Sequence, residues 1–89
     1  MNQPPKFLDD AQVLYHCPVD PEYDKNPRFK KGFIASMAIC TYDQRSFYLF
    51  YCDTKWKVLS DTFHDSVDKA MAQAKVEFPE MQIHWHRIV

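Results

Sequence analysis

The stretch Ser46–Ser60, SFYLFYCDTKWKVLS, limits the possible fold more than any other part of the chain. Phe47, Leu49 and Tyr51 alternate with Tyr48, Phe50 and Cys52, the two-residue period of a strand. Asp53-Thr54-Lys55 reads as a turn, and Trp56–Leu59 as a second strand with Lys57 between Trp56 and Val58. Strands joined this tightly are antiparallel neighbours. Their aromatic surface needs a second layer, and the next segment supplies one.

Ser60–Ser66 reads as a turn leading into a helix, with Ser66 as N-cap and Asp65 and Asp68 at the positive helix end. From there Val67, Ala70, Met71, Ala74 and Phe78 recur at helical spacing along one stripe, until Pro79 stops the helix. Upstream, Gly32–Tyr42 is the most apolar strand candidate. Its small set, Ser36, Ala38 and Cys40 beside Ile34, leaves room for the helix, with Met71 and Phe78 filling the space. Phe33, Ala35, Met37 and Ile39 face the other way.

Ala11–Cys17 reads as a strand closing on Pro18, with Val13 and Tyr15 on one side and Leu14 and His16 on the other. A short helix begun at Asp9 or Asp10 is the alternative. Gln82–Val89 alternates as a last strand. Residues 1–8, which contain Pro4-Pro5, are expected as a mobile arm. Pro18–Lys31 is expected as a long loop with two isolated aromatics, Tyr23 and Phe29. The expectation is one α+β domain over 1–89: an antiparallel sheet of four to five strands with one main helix packed on one face. A helix of about 12 residues is only some 18 Å long, so the other face is expected to stay partly open.

Composition narrows function more than it defines it. Eleven basic against twelve acidic residues leave a net charge of −1, which argues against a nucleic-acid binder. A single glycine leads us to expect few positive-φ corners and rules out a glycine-rich phosphate loop. No apolar run reaches the length of a membrane span. Cys17, Cys40 and Cys52 are odd in number and match no zinc or redox spacing. The polar start does not read as a signal peptide, so free thiols in a reducing cytoplasm are the expectation.

No spacing amounts to a catalytic signature, and no cofactor is called for. His16 and Cys17 are adjacent, and adjacent strand residues point to opposite faces, so they are badly placed to act as base and nucleophile. His84-Trp85-His86 is the sharpest short motif, because residues two apart on a strand point the same way and two imidazoles can reach one metal. A third ligand would come from His16, Cys17 or His64. The plain alternative is two surface histidines flanking a buried tryptophan.

The run Tyr48–Phe78, with its aromatic strand, Cys-Asp turn, Trp strand and capped Ala/Lys helix, resembles small bacterial α+β domains, some associated with toxin-immunity loci. That resemblance implies a partner-binding role without catalysis and assigns no functional residue. The leading expectation is a small intracellular protein-binding module, of inhibitor or immunity type, which binds a protein partner or itself by surface complementarity. Tyr23, Phe29, Tyr48 and Tyr51 are the candidate anchors, since aromatics dominate such interfaces. The competing expectations are a metal- or small-ligand-binding domain using His84 and His86, and, behind it, a single-strand nucleic-acid binder.

Overall fold

The computed structural model describes residues 3–20 and 34–88, so Tyr23 and Phe29 lie outside the described residues. The elements are β1 (Phe7–Leu8), β2 (Ala11–Pro18), β3 (Ser36–Thr41), β4 (Phe47–Cys52), β5 (Val58–His64), α1 (Val67–Glu77) and β6 (His86–Arg87). They form an α+β structure around an antiparallel sheet of order β1-β2-β3-β4-β5, with β6 also pairing β2. Among the described residues, no helix is long and apolar enough to cross a membrane.

β4 occupies the residues its alternation indicates, and it divides the core. Leu49 and Tyr51 join Met37, Ile39, Ala70, Ala74 and Phe78 in one buried cluster. Phe50 and Cys52 join Leu8, Ala11, Val13, Ala38 and Cys40 in a second. The α1 side chains therefore meet Met37 and Ile39, and the small side chains Ala38 and Cys40 lie in the other cluster, contrary to the sequence expectation. The contact is reversed because the helix brings its own small residues, Ala70 and Ala74, both fully buried. Phe50 and Leu8 fill the space beside Ala38 and Cys40 instead. The face expected to stay open is thus buried at its centre, with Tyr48, Trp56, Val58 and Ile88 around its margin.

Local chemistry sets the helix start as expected. The Ser66 side chain accepts a hydrogen bond from the Lys69 amide at 3.1 Å, a cap that contributes about 1 kcal/mol. The Phe78 amide donates to the Ala74 carbonyl at 3.0 Å, and Pro79 follows.

Three strand expectations change for identifiable reasons. A bulge in β2 between Val13 and Tyr15 flips the side-chain alternation, so Val13 enters one cluster and Tyr15 packs against the other. The arm expected over 1–8 ends in an ordered strand: Asp9 and Asp10, at φ 48° and 68°, turn the chain so that Leu8 pairs Ala11. Two consecutive positive-φ residues match the right-handed twist of a two-residue hairpin, and aspartate tolerates that region better than most residues. β6 keeps only His86–Arg87 of the expected Gln82–Val89 strand.

Few positive-φ corners were expected from one glycine, yet Asp9, Asp10, Gln44 and Trp56 all adopt them. Trp56 is the costly case. It follows Thr54 and Lys55 in a turn held by Asp53, whose carboxylate accepts from the Lys55 and Lys57 amides at 2.8 and 2.9 Å. The Trp56 amide donates to the Asp53 carbonyl at 3.1 Å. At φ 62° this tryptophan stands where hairpins usually place glycine, so β5 begins at Val58 rather than at Trp56.

Candidate functional site

β5 runs on to His64, through residues the sequence reading gave to a turn, and this exposes an aromatic strip. Tyr48 on β4 is the register partner of Cys40 on β3 and of Phe63 on β5. Its ring meets Phe63 edge-on at 5.4 Å and Tyr42 edge-on at 5.5 Å. Tyr42 is 56% exposed and Phe63 58%, while Phe50, 6.0 Å from Tyr48, is buried. The strip is therefore an outward continuation of the second core cluster.

The loop after β3 holds Tyr42 in place. The Thr41 hydroxyl donates to the Ser46 carbonyl at 2.6 Å, and the Asp43 carboxylate accepts from the Arg45 and Ser46 amides at 2.9 and 2.8 Å. Those amide bonds hold the Asp43 carboxyl below its ordinary range. The Tyr42 hydroxyl donates to the Asp9 carbonyl at 2.7 Å, tying the ring to the β1–β2 turn. Desolvation, and then the nearby Asp9 carboxylate, raise the Tyr42 phenol, which keeps it a donor.

Of the candidate anchors, Tyr48 lies in this strip. Tyr51 does not: it is 1% exposed among Met37, Leu49 and the α1 residues, so it serves the core and presents nothing to a partner. The sequence reading missed Tyr42 and Phe63. No apolar alternation marks Phe63 in the sequence, since Asp61 stands two residues before it and a register shift at Leu59 breaks the phase with the preceding strand residues.

The histidine motif separates. His86 pairs His16 across β6 and β2, and their rings stack at 5.1 Å and 29°. The edge of His16 also meets Trp56 at 6.0 Å, giving a cluster of two imidazoles and an indole. Trp85 packs half-buried against the helix-side cluster, and His84, exposed, precedes the strand. His64 sits on β5, the far side of the sheet path from β2, with its Nε2 2.7 Å from the Thr62 hydroxyl. Among the described residues, no group of three His, Cys, Asp or Glu side chains is placed to hold a metal.

His16 is 6% exposed, and its Nδ1 has no hydrogen-bond partner among the described residues. Burial, and then the neighbouring His86, hold its imidazole below the ordinary value. Burial lowers His64 too, against an opposing pull from Asp65. A histidine with a depressed folded pKa contributes stability that is present above its unfolded value of about 6.5 and lost as pH falls through the folded value. The melting temperature is therefore expected to fall as pH is lowered from 7.5 to 5. His16→Leu is expected to flatten that slope. Calorimetry across the pH series checks it, and an unchanged slope in the variant would remove His16 from the account.

All three cysteines are free and buried. Burial raises each thiol, Cys52 to about 12 with Asp53 adding to the shift, so none is held as the nucleophilic thiolate. An open groove of about 470 Å³ lies between α1 and the segment before β6, lined by Asp68, Met71, Ala72, Lys75, Ile83 and Trp85. Neither His84 nor His86 lines it. No protein-family model matches the chain, and comparisons with curated proteins and with solved structures find no match either.

Proposed function

We propose that this chain is a small intracellular protein-binding module of inhibitor or immunity type, acting by surface complementarity without catalysis. The observation that carries the reading is the strip Tyr42–Tyr48–Phe63, in which the Tyr48 ring meets both others and Tyr42 and Phe63 are more than half exposed. Large apolar side chains held at the surface by a hydrogen-bonded loop and a strand register are pre-ordered, so binding them costs little side-chain entropy. In this reading α1 covers one face of the sheet. The other face is closed by Leu8, Trp56 and the curl of the strands, except where the strip emerges. Three free, buried thiols fit a reducing cytoplasm.

The test compares affinity capture from the native host by the wild-type chain and by Phe63→Lys. Phe63 is mostly exposed, so the substitution is expected to change stability by less than about 0.5 kcal/mol. Retention of a partner is expected to drop by at least about tenfold, as for an interface anchor. A folded Phe63→Lys chain that retains the same proteins at the same level would refute the reading.

A further inference from the structure

We infer that the partner is an extended strand that adds to β5 and places a basic and an apolar side chain, two residues apart, against Asp61 and Phe63. The inference rests on the protein-binding reading and names the kind of partner. Among the described residues β5 ends the strand path, whereas β2 is flanked by both β1 and β6. Sheet edges in natural proteins are defended by lysines, prolines, bulges or short length. β5 is seven residues long, contains no lysine or proline, and pairs β4 without a register shift from Ser60 to His64.

The strip alone is too small to be the whole interface. Three half-exposed rings offer on the order of 300 Å², against roughly 800 Å² per partner in a stable complex. Backbone pairing along β5 would supply area and hydrogen bonds next to Phe63, which belongs to that strand. In strand addition the backbone gives affinity and alternate side chains give specificity.

The charge pattern selects the occupant. Asp61 and Phe63 share a face, and Asp61 is exposed without an ion pair among the described residues. A second copy of this chain answers that pattern poorly. Antiparallel pairing about a two-fold axis sets residues of like parity opposite each other. An axis at Asp61 or Phe63 puts Asp61 opposite a carboxylate, Asp61 or Asp65 of the second copy. An axis at Thr62 puts it opposite Phe63, and one at Ser60 opposite Leu59. An axis at Leu59 would set it opposite Lys57, but Lys57 precedes β5 and the register shift at Leu59 interrupts the ladder there. No axis within Ser60–His64 gives Asp61 a cation, and directly opposed like charges destabilise pairing. A different strand carrying arginine or lysine two residues from a valine or leucine meets both side chains.

The full chain would be titrated with three labelled, capped nine-residue peptides: threonine alternating with arginine and valine, the same with glutamate for arginine, and the first peptide N-methylated along one edge. Anisotropy is expected to show saturable binding of the arginine peptide, weakened at least about tenfold by glutamate and by N-methylation. Amide exchange is expected to slow at Ser60–His64, and Asp61→Lys to reverse the preference for arginine over glutamate. If no peptide binds while Phe63→Lys still abolishes capture of the host partner, strand addition is wrong and the protein-binding reading stands. If sedimentation shows a dimer that Phe63→Lys dissociates, the occupant is a second copy and the inference is overturned. If neither peptide binding nor capture responds to Phe63, both fail.

Discussion

Phe50→Ala is expected to destabilise the chain by about 3–5 kcal/mol, the range for removing a buried phenylalanine side chain. A domain of this size has on the order of 5–10 kcal/mol to lose, so the variant should be close to unfolded at physiological temperature. The cost belongs at the upper end because of what surrounds the ring. Ala38, Cys40 and Cys52 are fully buried neighbours with short side chains, and none can swing into the cavity. Urea unfolding of wild type and variant gives the difference directly, with the m-value checking that both unfold alike. Tyr48→Ala, at the half-exposed margin of the same cluster, is the control and should cost clearly less. A cost below about 1 kcal/mol for Phe50 would mean that this face is not a core.

That experiment addresses the point at which sequence and structure diverge most. Alternation in β4 was legible, because a strand with both faces covered still separates Leu49 and Tyr51 from Phe50 and Cys52. Alternation cannot say what covers the second face. Counting layers suggested one helix and one open side, but a sheet can close over itself when its margins carry large residues. Leu8 and Trp56 come from segments read as an arm and as a plain strand start. Both misreadings share one cause: their turns use positive φ at Asp9, Asp10 and Trp56, where a reader of sequence looks for glycine. The helix was legible from Ser66 to Pro79 because its cap, apolar stripe and stop signal are all local.

The site was less legible than the fold. Both tyrosines were chosen on the same aromatic alternation, yet Tyr48 lies in the exposed strip and Tyr51 is buried. The two are three residues apart on one strand, and their exposure is decided by what lies above each. Tyr51 is in the row with Met37 and Ser60 beside the helix-side cluster, while Tyr48 is in the row with Cys40 and Phe63 at the sheet margin. Row position across strands needs a register, and the register depends on the bulges in β2 and β5, which leave no mark in composition. The histidine pairing was hidden in the same way. His86 meets His16 only because β6 returns antiparallel to β2, some seventy positions back along the chain.

Trp56 gives the second large effect, and one with an unusual sign. Trp56→Ala removes an indole that packs against the second cluster and meets His16 edge-on. Removal of a fully buried tryptophan costs about 3–5 kcal/mol, and partial exposure here brings the expectation down to about 2–3 kcal/mol. Trp56→Gly removes the same contacts. Elsewhere in a chain, glycine is less stable than alanine by about 0.5–1 kcal/mol because the unfolded state is freer. At φ 62° the order reverses, since a Cβ in the left-handed region costs about 1–2 kcal/mol that glycine does not incur. The glycine variant is therefore expected to be the more stable of the two by up to about 1 kcal/mol. Paired denaturation curves measure the order, and alanine proving equal or better would show that the turn carries no such strain. A second readout follows from the His16 contact. With the indole gone, water reaches the imidazole, so in both variants NMR titration should place His16 nearer its ordinary value than in the wild type, where burial depresses it. The acid limb of the stability curve should flatten in step, because the proton uptake that drives it comes from the difference between the folded and unfolded values. A tryptophan held at positive φ thus links closure of the second face to acid sensitivity, and losing both together would identify the indole as the cover over that face.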